Sequence, residues 1–149
     1  PEYRLKIYGN NEDDSNIVEQ INSLNLQNYI EIIKGQTNVF DKELSAAMFV
    51  LPSLEEGMPN VLMEAMSHRI PSIATDCEIG GPRELIGQDK GILVPIKDSQ
   101  AIYQGMLKFI ENPIFAENCA KKSFEEIQKY DPNIIKIKWL KLIEDILNE

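Results

Sequence analysis

Short apolar runs that alternate with longer stretches of helical period constrain the fold of this chain more than any other feature. The runs predict five strands, at Tyr3–Tyr8, Tyr29–Ile33, Met48–Leu51, Pro71–Thr75 and Gly91–Val94. Because the runs are short and almost continuously apolar, they indicate a parallel sheet that is covered by helices on both faces. Ligands of such sheets bind beyond the carboxyl ends of the strands, so the loops that follow the first four runs are where a site is expected.

The stretches between these runs predict helices. Ile17, Ile21 and Leu24 fall on one helical face, and Asp13, Asp14 and Ser15 are candidate caps at its start. A short helix is predicted at Lys42–Ala47, and another begins near Pro59. A later helix carries an apolar stripe that consists of Ile102, Met106, Phe109 and Ile110.

Beyond Pro113 the pattern is entirely helical. Asp131-Pro132 reads as a cap followed by a proline in the first turn, and the helix after it has an apolar stripe of Trp139, Leu142, Ile143, Ile146 and Leu147. No linker or repeat interrupts the chain. We therefore predict one α/β domain over residues 1–149, a Rossmann-like doubly wound parallel sheet with a C-terminal helical tail.

Charge and composition exclude several classes of function. With 24 acidic against 15 basic residues the formal net charge is −9, so nucleic acid is not an expected partner and no polybasic membrane patch is present. A phosphate ligand must then be held locally, by backbone amides or a few bases. Cys77 and Cys119 have no metal or redox spacing and read as reduced thiols of a cytoplasmic protein. With the single histidine His68, too few ligands remain for zinc.

The segment from Leu51 to Met66, "LPSLEEGMPNVLMEAM", carries the chemistry. A strand ends at Leu51, a loop with proline and glycine follows, and a helix starts near Pro59, where a missing amide hydrogen costs nothing. The amides of Asn60 and Val61 then have no intrahelical partner. Such a helix end favours an anion, and a diphosphate is a suitable one.

Two glutamates flank this helix end. Glu64 shares the face of Asn60 one turn further along, and its two oxygens could accept both hydrogens of a ribose diol. Glu56 lies in the loop, where it would face the hydroxyls of a hexose, and Gly57 lets the backbone approach that sugar. The same spacing also fits two solvated glutamates beside an ordinary helix start.

The stretch "EGMPNVLMEAM" resembles the E-x7-E signature of the retaining glycosyltransferases of the GT-B fold, family four, with Glu56 and Glu64 as the motif glutamates. The flanking blocks "AAMFVLPSLEEG", "IPSIATDCEIGGPRELI" and "GILVP" agree with the family in order and distance. The form "TDC…GPRELI" is similar to members that build capsular, lipopolysaccharide and other surface glycans. The resemblance runs from about Tyr3 to the C-terminus, and it implies the C-terminal, donor-binding half of a GT-B fold.

The resemblance also implies roles for single residues. Glu64 would bind the nucleotide ribose, and Glu56 would lie against the transferred sugar as the catalytic candidate. Backbone amides near Gly57, Met58, Asn60 and Val61 would contact sugar and diphosphate, and the loop at Gly35-Gln36 would lie beside the nucleobase. The chain departs from the family at two places. Many members have a glycine two residues after the Glu-Gly pair, where this chain has Asn60 behind Pro59; because a proline has no amide hydrogen to donate, the sugar contact there must differ. His68-Arg69 replaces the helix-end glycine, which would strain that turn.

Part of the family's machinery is not in this sequence. The acceptor-binding N-terminal domain and an Arg/Lys pair that assists the leaving diphosphate are expected upstream, because the chain has no initiator Met and runs at once into a strand. We expect the 149 residues alone to bind a nucleotide-sugar weakly and not to turn over. The full protein would be cytoplasmic, with peripheral membrane contact only through the missing domain. We expect no cofactor and no metal, since Glu12-Asp13-Asp14 reads as an acidic helix start.

Other classes of protein share the general pattern. A signalling receiver domain would need a phosphorylatable Asp after the third strand, where this chain has Pro52-Ser53. Nucleotide-sugar epimerases are disfavoured because their characteristic loop is not seen. A non-catalytic GT-B module that binds nucleotide-sugar or serves as a scaffold remains open. UDP-sugar is the expected donor, by analogy with the family's surface-glycan members.

Overall fold

A computed structural model of the chain describes residues 3–9 and 15–148. The chain divides into two compact units, Pro1–Lys42 and Glu43–Glu149. Among the described residues the five strands form two parallel ladders, β1–β2 in the first unit and β3–β4–β5 in the second. The sequence predicted a single sheet; the strand pattern shows that the strands are parallel, but it does not show which strands pair.

The first unit contains β1 (Leu5–Tyr8), α1 (Ser15–Ser23), β2 (Ile30–Ile33) and α2 (Val39–Lys42). In the β1–β2 ladder Leu5 lies opposite Ile30. In α1, Ile21 is buried as predicted, whereas Leu24 lies beyond the end of the helix and is exposed. The predicted caps Asp13 and Asp14 lie outside the described residues.

The helix predicted at Lys42–Ala47 is wrong in position. The helix that forms there is α2, at Val39–Lys42, and residues 43–46 form a turn in which the Ala46 amide donates to the Glu43 carbonyl, at 2.9 Å. Phe40 is buried and fixes α2, whereas Leu44 is 69% exposed. The predicted segment therefore has little apolar burial to hold it as a helix.

The second unit contains β3 (Phe49–Leu51), β4 (Ser72–Thr75) and β5 (Ile92–Val94), with β4 in the centre of the ladder. Its helices are α3 (Asn60–Ser67), α4 (Gly81–Ile86), α5 (Ser99–Glu111), α6 (Pro113–Ile127) and α7 (Pro132–Leu147), with a 3-10 turn at Gln128–Tyr130 before α7. These three strands each begin one residue later than predicted and end where predicted, because apolar runs and turn residues define them.

Both faces of the β3–β4–β5 sheet are covered, as predicted. One face carries Leu51 and Ala74, which pack against Leu62 and Met66 of α3, Leu85 and Ile86 of α4, and Ile127 of α6. Successive residues of a strand point to opposite faces, so Ile73 faces the other way. It packs there with Val94, with Phe109 of α5, and with Ala116 and Cys119 of α6.

The two cysteines are free thiols, and both are buried. Cys77 follows β4, and Cys119 belongs to the core beside α5. Burial raises the pKa of the Cys119 thiol, because a thiolate is poorly solvated there. The structure therefore agrees with the reading of both residues as reduced thiols.

Helix α7 ends the chain with its apolar stripe uncovered. The Asp131 carboxylate accepts a hydrogen bond from the Asn133 amide, at 2.8 Å, which confirms the predicted cap. No described residue of α7 is buried, and the Trp139 side chain is 59% exposed. Within the described ranges, no helix has both the length and the apolar character that crossing a membrane requires.

Candidate functional site

The loop between β3 and α3 lies at the carboxyl edge of the three-stranded sheet and opens into the start of α3. Pro59, predicted at the first helical position, is instead the N-cap residue, so α3 begins one residue later, at Asn60. The Pro59 carbonyl accepts from the amides of Leu62 and Met63, at 3.1 and 3.2 Å. No side chain of the described residues caps this end. The amides of Asn60 and Val61 thus stand outside the intrahelical ladder, as the sequence predicted.

Burial of one side of α3 determines which residues face outward. Leu62, Ala65 and Met66 are buried in the core and anchor the helix. Asn60 and Glu64, four residues apart, are exposed on a common face. Glu64 therefore lies one turn beyond the start of α3, as predicted.

Glu56 lies three residues before the N-cap and is partly buried. The Ser53 hydroxyl donates a hydrogen bond to Glu56 Oε1, at 2.7 Å. Gly57 and Met58 follow it and are exposed. Ser53 is not among the predicted site residues, although a hydroxyl residue three positions before a motif glutamate is a local signal for this contact.

The predicted nucleobase loop belongs to the first unit. Gly35 follows β2 with a φ of +64°, a conformation that glycine adopts without strain. The Gln36 side-chain oxygen accepts a hydrogen bond from the Lys42 ammonium. The structure thus brings six of the predicted residues together on one loop and helix of the second unit, namely Glu56, Gly57, Met58, Asn60, Val61 and Glu64, and it places Gly35 and Gln36 in the first.

A charged pair, Asp76 and Arg83, lies at the carboxyl end of β4, the strand next to β3. Arg83 of α4 forms a salt bridge with Asp76, at 2.8 Å. This hydrogen bond and the nearby charge raise the pKa of Arg83. The other carboxylate oxygen of Asp76 is buried and has no partner among the described residues. Asp76 was missed, although it is the first residue after a predicted strand.

His, Cys, Asp and Glu side chains are the candidate ligands for a metal ion. In residues 3–9 and 15–148, no group of three or more His, Cys, Asp or Glu side chains is placed to hold an ion. The acidic run Glu12-Asp13-Asp14 lies outside these residues.

The sequence matches the family described as glycosyl transferases group 1 over residues 1–126. It is 29% identical over 146 residues to the amylovoran biosynthesis glycosyltransferase AmsD of Erwinia amylovora, a match that covers 98% of this chain and 40% of AmsD. It is 36% identical over 100 residues to the putative teichuronic acid biosynthesis glycosyltransferase TuaC of Bacillus subtilis strain 168, which covers 65% of this chain and 25% of TuaC. The chain thus spans less than half the length of these relatives.

Solved structures show the same fold. The crystal structure of TarM superposes with a TM-score of 0.81 at 27% identity, over 93% of this chain and 28% of TarM. HepE of Anabaena, solved in complex with UDP and glucose, gives a TM-score of 0.83 at 20% identity, over all of this chain and 41% of HepE. The parallel sheets with flanking helices are therefore the Rossmann-like architecture of a GT-B half. The chain belongs to the glycosyl transferases group 1 family, as the C-terminal domain of a GT-B fold.

Proposed function

We propose that this chain binds a nucleotide-sugar, specifically a UDP-sugar, as the donor half of a retaining glycosyltransferase whose acceptor is a glycan or a lipid-linked sugar. The observation that carries the proposal is the start of α3, which no side chain of the described residues caps and which has Glu56 before it and Glu64 one turn inside it. An uncapped helix start binds an anion, and acids on either side of it suit the two sugars that a diphosphate joins.

Each part of the donor has a counterpart in this arrangement. The amides of Asn60 and Val61 would donate to the diphosphate and stabilise its charge as it leaves. Glu64 would accept the ribose hydroxyls, and Glu56 would face the transferred hexose beside the exposed residues Gly57 and Met58. Neither a metal nor a cofactor is needed for these contacts. Gly35 and Gln36 would contact the nucleobase.

The choice of UDP and of the acceptor class is supported by what similar proteins bind and act on. A pneumococcal O-GlcNAc transferase, GtfA, was solved with UDP and GlcNAc, and HepE with UDP and glucose. A Campylobacter jejuni relative, 25% identical, is named as an N-acetylgalactosaminyltransferase that acts on a diphospho-undecaprenol sugar and makes an alpha linkage. Where the sugar is alpha-linked in the donor, an alpha product corresponds to retention.

We further propose that transfer needs an acceptor-binding part that this chain does not supply, since relatives such as AmsD are more than twice as long. The apolar stripe of α7 would then pack against that part. The full protein would be cytoplasmic and would reach a membrane only through that part. The alternative is a non-catalytic GT-B module, and it predicts the same donor binding without transfer by the full-length protein.

Donor binding can be tested by titrating the 15N-labelled chain with UDP, GDP and UDP-glucose. We expect UDP to shift the amide signals of Asn60 and Val61 first. Glu64→Gln should weaken UDP binding about tenfold, since a hydrogen bond to a charged group contributes about 1.5 kcal/mol or more. The exposed Glu117→Gln in α6 is the matched control. With 2′-deoxy-UDP the native chain should lose affinity, whereas the Glu64 variant should not. Shifts that leave the α3 start unchanged would refute the proposal.

A further inference from the structure

The loop that carries Glu56 is tied to the end of β4 by side chains that are fully buried. The Thr75 hydroxyl donates to the carbonyl of Ser53 and lies 3.3 Å from that of Leu51. The Cys77 thiol lies 3.4 Å from the same Ser53 carbonyl. Thr75 is 2% exposed and Cys77 is 0% exposed, so water does not compete for these contacts. The backbone of Ser53 is thereby fixed from the neighbouring strand.

The Ser53 side chain in turn orients the carboxylate of Glu56. Its hydroxyl donates to Glu56 Oε1, at 2.7 Å, a normal length for an O–H···O hydrogen bond. Both partners are partly buried. A carboxylate that is held through one oxygen keeps its second oxygen in a fixed direction, and that oxygen remains an acceptor.

A glycine at the start of α4 fixes the other side of the same loop. A Cβ at Gly81 would lie 1.5 Å from the Gly57 carbonyl oxygen and 3.1 Å from Pro59 Cδ. Only a glycine permits this approach. The backbone of Gly57, the residue after Glu56, is therefore packed directly on the α4 start, and any side chain at position 81 would push the loop away.

We propose that Ser53 and Gly81 are positioning residues for Glu56, so that the segment Thr75–Gly81 sets where this carboxylate meets the transferred sugar. Ser53 would orient the carboxylate itself, and Gly81 would set the loop and the start of α3 together. The inference rests on the proposed donor site, in which Glu56 contacts the sugar and the α3 start contacts the diphosphate. The two residues should consequently affect different parts of the ligand.

The Ser53 contribution can be tested on the free chain and with two probes. In the native chain, three-bond NMR couplings should show one fixed χ1 rotamer for Glu56, and Ser53→Ala should average them, whereas Ser53→Thr should keep them. UDP-glucose binding should fall about tenfold in Ser53→Ala, and UDP binding should stay the same. Ser23→Ala, which removes an exposed hydroxyl bonded to the Gln20 carbonyl, is the matched control and should change neither readout.

The outcomes separate the positioning role from the proposed function. Unchanged Glu56 couplings in Ser53→Ala would overturn the positioning role, whatever the chain binds. Averaged couplings together with unchanged UDP-glucose binding would support the positioning role and count against the sugar contact of Glu56. An equal loss of UDP and UDP-glucose binding in Ser53→Ala would overturn the inference that Ser53 acts through the sugar end.

The Gly81 contribution is tested against a second tightly packed glycine. A Cβ at Gly91 would lie 2.7 Å from the Ser72 carbonyl oxygen, at the opposite, amino edge of the sheet. We expect both Gly81→Ala and Gly91→Ala to lower the melting temperature, but only Gly81→Ala to weaken UDP binding, by about tenfold or more, and to shift the amide signals of Gly57–Val61. An equal loss of UDP binding in both variants would overturn the role of Gly81.

Discussion

Arg69 occupies a position that favours glycine. It follows the end of α3 with a φ of +56°, and the turn is closed by hydrogen bonds from the Arg69 amide to Met66 and from the Ile70 amide to Ala65, both at 3.0 Å. A left-handed conformation costs an ordinary residue about 1 kcal/mol or more. The strain expected from the replaced helix-end glycine is confirmed by this angle. The Arg69 guanidinium lies 4.3 Å from the centre of the Phe124 ring, which offsets part of that strain.

We predict that the strain and the ring contact of Arg69 can be separated by a double-mutant cycle. In a Phe124→Leu background, Arg69→Gly should raise the free energy of unfolding by about 1 kcal/mol, because the left-handed strain is relieved. In the native background the gain should be smaller by about 0.5–1 kcal/mol, because the cation–π contact is lost. Urea unfolding of the four chains measures both values. Equal gains in the two backgrounds would show that the ring contact contributes nothing.

At the scale of elements, the sequence predicts the strands and the motif helix well, and its errors have physical causes. The apolar run at Met48–Leu51 and the proline before Asn60 are local signals, and β3 and α3 form there. The helix near Lys42 was misplaced because burial of Phe40, a tertiary effect, determines its position. The contact that holds the Ser53 carbonyl could not be predicted for a similar reason: its partner Thr75 is 22 residues away, and only the pairing of β3 with β4 brings the two together.

Helix α6 is joined to the loop after α4 by a small network of charges. Glu126 lies 2.9 Å from the Lys129 ammonium and 3.3 Å from that of Lys90, which also donates to the Glu84 carbonyl of α4, at 3.2 Å. The hydrogen bond from Lys129 lowers the pKa of Glu126, and Lys90 adds to this effect. The Glu126 side chain is 16% exposed, so the network is partly shielded from water.

We predict that this network contributes to stability at neutral pH and loses its effect in acid. Because the folded-state pKa of Glu126 is lowered, its contribution is present above the unfolded value of about 4.3 and is lost as the pH falls through the folded value. Glu126→Gln should cost about 1 kcal/mol at pH 7 and should flatten the decline of stability below about pH 4. Thermal unfolding over this pH range is the measurement, and the exposed Glu125→Gln is the control. Equal losses in both variants would contradict a specific role for Glu126.

At the scale of the whole molecule, burial is distributed unequally between the two units. Ile21 and Phe40 are the buried apolar residues described in the first unit, whereas the two core clusters belong to the second. All four residues of β4 are buried, and the first two of β1 are exposed. Apolar burial is the main stabilising contribution in a fold, so the two parallel ladders should differ in local stability.

Native-state hydrogen exchange tests this difference directly. We predict that the amides of Ile73–Thr75 exchange only through global unfolding, because covered faces on both sides of β4 prevent local opening. The amides of the β1–β2 ladder, Leu5–Tyr8 with Ile30–Ile33, should exchange with an opening free energy lower by roughly 2 kcal/mol or more, since little apolar surface keeps that ladder closed. Phe109→Ala, which removes a buried ring beneath β4, should lower the opening free energy of β4 by about 3–5 kcal/mol and reduce the gap to β1. Equal protection of the two ladders in the native chain would mean that burial within each unit does not determine its stability.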